Sequence, residues 1–199
     1  MIGKVKTRVA EGSNNDEALG IYKFLLEKTR KVTEGLNAEK HLFYSDQICF
    51  EDEWDEILYY KHQQADGDLG HRMLSAFQTC FQLNDGAESK VIIIGSDCPY
   101  LSEEIIVSAF SALDNHEVVI GPTFDGGYYL LGMKQLYADL FNNLPWSTEE
   151  VLKLTLEKIK LLGLTYTKTV QLNDIDTYND WLTYQKVMQS ISCNKNYEI

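Results

Sequence analysis

Apolar runs alternate with amphipathic stretches along the whole chain, which predicts strands interleaved with helices. Residues 90–94 include four consecutive β-branched apolar side chains, a pattern that favours a strand covered on both faces, as in a parallel sheet. Residues 14–34 carry apolar side chains at helical spacing. Further strands are predicted at 41–44, 57–60, 118–120, 128–133 and 164–172, and further helices at 70–83, 102–113, 134–141, 148–162 and 179–189. This order predicts an α/β fold with three layers, in which helices cover both faces of a mainly parallel sheet.

Composition adds limits on size, partners and compartment. The 199 residues contain no repeat and no flexible linker, so we expect a single domain over residues 1–199. The net charge of −12 disfavours nucleic acid and anionic membranes as partners. The four cysteines form no C-x-x-C pair, and no signal peptide or bilayer-length apolar segment is recognisable. Reduced thiols in the cytoplasm are the simplest interpretation.

Asp97 is the most informative position. It follows the strand at 90–94 within Gly95-Ser96-Asp97-Cys98-Pro99. Ligands of open α/β sheets bind beyond the carboxyl ends of strands, so this carboxylate is a candidate metal ligand facing a phosphate. The alternative is a helix cap, but Ser102 is better placed to cap the helix that follows.

The chain opens with a basic loop that suits a phosphate ligand. Lys4, Lys6 and Arg8 follow Gly3 and precede a helix, so cations and backbone N–H groups can converge on phosphate oxygens. The spacing is not that of a Walker A loop. A solvated basic terminus is the alternative.

Two glycine-containing segments are candidate ligand loops. In the first, Gln64, Gly67 and Asp68 precede a helix and could read a nucleobase edge, or could form an ordinary turn. In the second, residues 121–129, Asp125 follows a strand and could orient an acceptor or a sugar hydroxyl. A hairpin loop is the alternative for that segment.

A third acidic segment follows the last predicted strand. Asp174 and Asp176 would point to one side, where two carboxylates repel unless a cation lies between them. The alternative is that Asp176 or Thr177 caps the final helix, with Asp180 in its first turn. Ser147 has the spacing of a capping box, and Trp146 before it could stack on a ligand or pack in the interior.

These segments, in this order, resemble a bacterial family within the GT-A nucleotide-diphospho-sugar transferase superfamily. The resemblance rests on six motifs, G-x-V-K-T-R, Q-x-x-G-D-L-G-x-R-M, G-x-D-x-P, G-P-x-x-D-G-G-Y-Y-L, P-W-S-T and D-x-D-T-x-x-D, which here span nearly the whole chain. Members are often associated with radical-SAM, selenium or arsenosugar biosynthesis. The superfamily also includes molybdenum-cofactor and 2-phospho-lactate guanylyltransferases.

The resemblance implies a Rossmann-like GT-A fold and a role for each matched residue. Nucleotide-binding residues would be Lys4, Lys6, Arg8, Gln64, Gly67, Asp68 and Ser96. The acceptor side would comprise Gly126, Gly127, Tyr128 and Trp146. Asp97 and Asp125 would be catalytic, and Asp97, Asp174 and Asp176 would hold Mg²⁺ or Mn²⁺. The cation would neutralise charge on the departing diphosphate or pyrophosphate.

One departure from the family concerns the start of the chain. Members normally begin with an apolar strand that leads into the basic loop, whereas this chain starts inside that loop. A start site placed too late, a clipped chain or a degraded paralogue would each explain this. We expect an amino-terminal truncation of a longer functional protein that lacks the usual first strand. A gap in the sheet would favour homo-oligomers through strand pairing.

Three functions follow from these observations. The first is a glycosyltransferase that moves a sugar from a nucleotide-sugar donor to a small-molecule acceptor. The second is a nucleotidyltransferase of the guanylyltransferase type, which would use a nucleoside triphosphate and release pyrophosphate. The third is an inactive or truncated nucleotide-binding paralogue. The preference for sugar transfer rests on analogy with the family.

Overall fold

The computed structural model describes residues 6–83 and 89–195. The helices within these ranges are α1 (Thr7–Gly12), α2 (Asn15–Glu34), α3 (Leu69–Leu83), α4 (Glu103–Ala112), α5 (Val151–Leu161) and α6 (Tyr178–Lys195), with a short 3₁₀ helix at Ala138–Phe141. The strands are β1 (Lys40–Tyr44), β2 (Tyr59–Gln63), β3 (Val91–Ile94), β4 (Val118–Pro122), β5 (Tyr128–Met133) and β6 (Tyr166–Lys168). The predicted α/β order is confirmed.

The described strands form two sheets. β1 and β2 pair in parallel, with Lys40 opposite Tyr59. The larger sheet has the order β3-β5-β4-β6, in which β4 and β6 are parallel and β5 is antiparallel to both of its neighbours. The sheet is therefore mixed, and the expectation of a mainly parallel sheet is corrected at β5.

The connection between β4 and β5 explains this antiparallel strand. Only the five residues 123–127 separate the two strands, whereas a parallel crossover needs a dozen or more. Thr123 N donates to Gly127 O at 3.0 Å, which closes a tight turn. The second ligand loop predicted from the sequence is thus also a hairpin turn.

Helices cover both faces of the larger sheet. All five residues of β4 are buried, and they alternate between two core clusters. Val118 and Ile120 belong to a cluster with Phe77 of α3 and Ile159 of α5. Val119 belongs to a second cluster with Ile106 and Ala109 of α4. The result is the predicted three-layer arrangement, with a core on each side of the sheet.

A third core cluster fixes the start of the described chain. Val9 of α1 is fully buried and shares this cluster with Ile21 and Leu25 of α2 and with Ile175. Burial of such side chains is worth about 1.5–3 kcal/mol each. This packing holds α1, and Lys6 before it, beside the segment that follows β6.

Helix starts match the sequence at two positions and differ at a third. The side chains of Asn14 and Ser102 cap α2 and α4, as their positions in the sequence favour. The predicted cap at Ser147 is wrong, because Ser147 has a φ of 64° and α5 begins only at Val151. The free N–H of Leu152 instead donates to Gly126 O at 2.9 Å.

Other boundaries are shorter or shifted. The predicted helix at 134–141 is reduced to the 3₁₀ turn, and the strand at 164–172 to Tyr166–Lys168 with an isolated bridge between Thr123 and Leu172. The strand near 57–60 lies at Tyr59–Gln63. Among the described residues, every helix is too short or too polar to cross a bilayer.

Candidate nucleotide and metal site

Four loops meet at one rim of the larger sheet. Asp97 follows β3, Asp125 lies in the turn after β4, and Asp174 follows β6 by a short irregular segment. Lys6 precedes α1 and also lines the cleft at this rim. The fold therefore gathers side chains that are far apart in the sequence, such as those of Lys6 and Asp174.

Three of these carboxylates converge. One oxygen from each of Asp125, Asp174 and Asp176 lies within 4.8 Å of the other two. Carboxylate oxygens are the hard donors that Mg²⁺ and Mn²⁺ prefer. The donor set therefore fits a divalent cation, although the sequence placed Asp125 on the acceptor side rather than among the metal ligands.

The orientation of Asp125 is fixed by its own turn. Its Oδ1 accepts a hydrogen bond from the Thr123 hydroxyl and another from Gly127 N at 3.1 Å. Thr123 is 2% exposed, so this donor is held rigidly. Both hydrogen bonds use one oxygen, which leaves Oδ2 available to a ligand or cation.

Asp174 carries the clearest electrostatic signature of the site. Burial, followed by the charges of Asp125 and Asp176, raises the pKa of Asp174 to about 6. Acidic neighbours that are not balanced by a cation disfavour ionisation in this way. A bound divalent cation would favour the ionised form of the whole group.

Asp97 stands apart from this cluster and is paired with a lysine. The Lys6 ammonium lies 2.9 Å from Asp97 Oδ1 and donates to Ile175 O at 2.6 Å. The Lys6 side chain is only 10% exposed. The assignment of Asp97 as a metal ligand remains a prediction, and it requires a cation to share this carboxylate with Lys6.

Asp176 links the acidic cluster to the basic residues. Its carboxylate lies 3.8 Å from the Lys6 ammonium and 3.4 Å from Arg8 Nη1. The Arg8 side chain is 68% exposed. Arg8 is thus the described residue of the basic loop best able to reach a ligand phosphate. Lys4 lies outside the described residues.

Two hydrogen bonds join the loop after β3 to the segment that follows β6. Ile175 N donates to Asp97 O at 2.9 Å, and Cys98 Sγ donates to Asn173 O at 3.4 Å. Burial raises the pKa of Cys98 to about 11, so its thiol stays protonated. The start of α6 is fixed separately, because Asp180 Oδ2 accepts from Thr177 N at 2.7 Å.

The predicted base-binding residues mostly make structural contacts. Asp68 Oδ1 accepts from His71 N at 2.8 Å, as a helix cap does. Gly67 has a φ of 108° and accepts from Arg72 Nε. Gln64 donates to Phe43 O at 3.2 Å and lines the cleft, as Ser96 also does. A role of these residues at the base stays a prediction.

Of the residues predicted to form the acceptor side, two lie in the turn after β4 and two pack against the core. Gly126 and Gly127 form the turn around Asp125, whereas the Tyr128 hydroxyl is buried beside Thr155. The Trp146 ring stacks on Phe141 with centroids 6.2 Å apart. Trp146 and Tyr128 also line the cleft, so each still presents some surface there.

Two relationships were not predicted from the sequence. The Lys6–Asp97 ion pair joins residues that were each expected to bind a ligand directly. Thr123, a buried residue directly after β4, supports Asp125. Its one sequence signal is the position of a hydroxyl two residues before a carboxylate, which is common in turns.

Comparison with solved structures places this fold in a known class. The crystal structure of a putative nucleotide-diphospho-sugar transferase from Desulfovibrio desulfuricans G20 has 31% sequence identity and a TM-score of 0.79, over 89% of this chain and 78% of that chain. The chain thus has the expected GT-A fold of nucleotide-diphospho-sugar transferases.

Two further structures share the fold alone. One is a 4-diphosphocytidyl-2C-methyl-D-erythritol synthase from Anaerococcus prevotii DSM 20548, with a TM-score of 0.56, 13% identity, and 83% of this chain and 86% of that chain covered. The other is a homologue of Mycobacterium tuberculosis rv0371c from Mycobacterium sp. strain JC1, with a TM-score of 0.52, 15% identity, and 84% and 83% covered.

The family model of DUF2064, described as an uncharacterized protein conserved in bacteria, matches residues 29–148. This match spans more than half of the chain, so the protein belongs to the DUF2064 family. No curated protein matches the sequence.

Proposed function

We propose that this protein is a metal-dependent transferase that takes a nucleotide-sugar donor and moves its sugar to a small-molecule acceptor. The observation that carries this proposal is the convergence of Asp125, Asp174 and Asp176 beside Lys6 and Arg8. Carboxylates and cations at one rim suit a diphosphate and its counter-ion. The similarity to the Desulfovibrio protein supports the substrate class.

Each residue at the rim has a chemical task in this proposal. Asp125, Asp174 and Asp176 would hold Mg²⁺ or Mn²⁺, which when bound neutralises charge on a departing diphosphate. Arg8 is exposed and planar, and would bind phosphate oxygens in a forked geometry. Lys6 neutralises Asp97, so the ligand meets less negative charge there.

The acceptor would approach from the turn after β4. Asp125 Oδ2 is the oxygen without a partner in the turn, and it would accept a hydrogen bond from an acceptor or sugar hydroxyl unless it binds the cation. The neighbouring Phe124 is 64% exposed and lines the cleft. Its exposed ring offers an apolar face in the cleft.

Metal binding tests the first part of the proposal. We expect Mn²⁺ titration by calorimetry to show one binding event that weakens at least tenfold in Asp174→Asn. Asp139→Asn is the matched control, because Asp139 is exposed and does not line the cleft. Equal Mn²⁺ affinity in all three proteins would remove the carboxylate cluster from the site.

Product analysis tests the second part. The protein is incubated with Mn²⁺ and a panel of nucleotide sugars, and separately with nucleoside triphosphates. Release of a nucleoside diphosphate supports sugar transfer, whereas release of pyrophosphate from a triphosphate would replace it with nucleotidyl transfer. If no nucleotide changes the unfolding temperature, the non-catalytic paralogue becomes the better description.

A further inference from the structure

Thr123 is held by contacts with its own turn and with the segment after β6. Its N–H donates to Gly127 O at 3.0 Å, and its carbonyl accepts from Gln171 Nε2 at 3.1 Å. A parallel β-bridge also pairs it with Leu172, two residues before Asp174. Thr123 is buried, and its β-branched side chain has few rotamers. The position of its hydroxyl is therefore set by the backbone of both loops.

The Thr123 hydroxyl acts on only one of the two carboxylate oxygens of Asp125. It donates to Oδ1, and Gly127 N donates to the same oxygen at 3.1 Å. A carboxylate oxygen has two lone pairs, so these two donors occupy both acceptor directions of Oδ1. Asp125 is exposed, and Oδ2 has no partner within the turn. Oδ2 is therefore the oxygen of Asp125 that can ligate a cation.

A carboxylate that offers one oxygen does not suit all divalent cations equally. Ca²⁺ takes about six to eight oxygen ligands, often two from one carboxylate, whereas Mg²⁺ demands shorter bonds in octahedral geometry and keeps several water ligands. Mn²⁺ also binds in octahedral oxygen sites. One oxygen each from Asp125, Asp174 and Asp176 would leave an octahedral ion to complete its shell with water or phosphate. Ca²⁺ would lack the second carboxylate oxygen that its larger shell uses.

We propose that Thr123 is a positioning residue that restricts Asp125 to ligation through Oδ2, and so makes the site select Mg²⁺ or Mn²⁺ over Ca²⁺. This inference rests on the proposed function, because it takes the cation to lie among Asp125, Asp174 and Asp176. Thr123→Val keeps nearly the same shape but removes one of the two donors to Oδ1. Asp125 is then free to turn both oxygens toward the ion, which favours Ca²⁺.

Calorimetric titrations of the full chain with Mn²⁺ and with Ca²⁺ test this proposal. Loss of a hydrogen bond to a ligating group typically changes metal affinity by about 10–100-fold. We expect wild type to bind Mn²⁺ more tightly than Ca²⁺, and the ratio of the Ca²⁺ to the Mn²⁺ dissociation constant to fall about tenfold in Thr123→Val. Thr123→Ser keeps the hydroxyl and should retain the wild-type ratio.

Thr183→Val is the matched control. Thr183 is exposed on α6, and its hydroxyl donates to Asn179 O of the same helix. The ratio should equal that of the wild type in this variant. A general loss of stability would weaken the binding of both cations alike, so only a specific effect on Asp125 changes the ratio.

A crystal structure of the wild type with Mn²⁺ gives a second readout that does not depend on whether the variants fold. We expect Asp125 to ligate the ion through Oδ2 alone, with Oδ1 still bonded to the Thr123 hydroxyl. Ligation through Oδ1, or an unchanged ratio in Thr123→Val, overturns this inference while the cation site itself stands. Absence of Mn²⁺ from the three carboxylates in both experiments overturns this inference together with the proposed function.

Discussion

The Lys6 ammonium lies 2.9 Å from the Asp97 carboxylate and donates to the carbonyl of Ile175. The residue before α1 is thereby tied both to the loop after β3 and to the segment after β6. Lys6 adopts this position with a left-handed backbone, at φ 48° and ψ 49°. A side chain held so firmly by protein groups acts first as a structural link.

We therefore expect Lys6→Met to destabilise the protein by about 2 kcal/mol, because a largely buried ammonium is lost and Asp97 keeps an unpaired charge. Urea unfolding measures this change. Lys186→Met is the control, since Lys186 is exposed on α6 and should change stability by less than about 0.5 kcal/mol. A double-mutant cycle with Asp97→Asn should show coupling; additive effects would mean that the pair does not interact.

The raised pKa of Asp174 predicts a pH dependence of stability. Its folded-state pKa of about 6 lies above the ordinary value of 3.8 for an aspartate, so folding favours the protonated carboxyl. Its contribution is fully present below pH 3.8 and is lost as the pH rises through about 6. Without divalent ions, Asp174→Asn should therefore be more stable than the wild type at pH 7.5, by about 1 kcal/mol because the carboxyl is only half-buried.

Thermal unfolding at several pH values, in a chelating buffer, measures this difference. The gain in Asp174→Asn should vanish near pH 4, where the wild-type carboxyl is largely protonated, and should reverse when Mn²⁺ is added at pH 7.5. A constant difference between the two proteins from pH 4 to 7.5 would show that Asp174 has an ordinary pKa.

A side chain at position 126, in the turn after β4, should cause a severe steric clash. Its φ is 91°, and a Cβ atom there would lie 2.0 Å from the Glu149 carbonyl oxygen. We expect Gly126→Ala to lose about 3 kcal/mol or more in the free energy of unfolding. Gly163→Ala is matched to it, because Gly163 also has a positive φ, 67°, but open space around it.

Gly163→Ala should lose only about 1–2 kcal/mol, which is what a side chain costs in a left-handed backbone conformation. The difference between the two variants then measures the contact of the turn with the residues before α5. Equal losses in chemical denaturation would show that this contact adds nothing to stability.

A side chain at position 70, inside α3, should cause a similar steric clash. A Cβ atom at this position of α3 would lie 2.0 Å from Trp146 Nε1. Gly70→Ala should therefore displace the indole ring, shift the tryptophan emission and destabilise the protein by about 2 kcal/mol. Gly20→Ala is the control in α2, where nothing lies within 4 Å, and should stabilise by up to about 1 kcal/mol.

Circular dichroism and tryptophan fluorescence, followed through urea unfolding, report the two effects separately. An unchanged emission spectrum in Gly70→Ala, together with a gain in stability like that of Gly20→Ala, would contradict the close approach of Trp146 to α3.

The sequence predicts the order of elements well because local patterns decide it. The β-branched run before Gly95 and the cap at Ser102 depend on neighbouring residues alone. The predicted cap at Ser147 is wrong. A backbone N–H at the start of α5, that of Leu152, donates instead to the distant carbonyl of Gly126. Such a partner cannot be read from a spacing of three residues.

The candidate site was predicted only as a set of residues. Asp125, Asp174 and Asp176 were each singled out, but their grouping depends on β4 pairing with β6, which brings the ends of two strands together. The Lys6–Asp97 pair likewise depends on how α1 packs. Charges close in space and distant in sequence need the fold before their partners are known.

The hydrogen bond from Leu152 to Gly126 has a practical consequence for engineering. A hairpin exchanged alone would keep this bond only with a backbone carbonyl in the place of Gly126 O, and a side chain at position 126 would collide with Glu149 just before α5. Residues 123–127 and 149–152 should accordingly be swapped between homologues as one cassette.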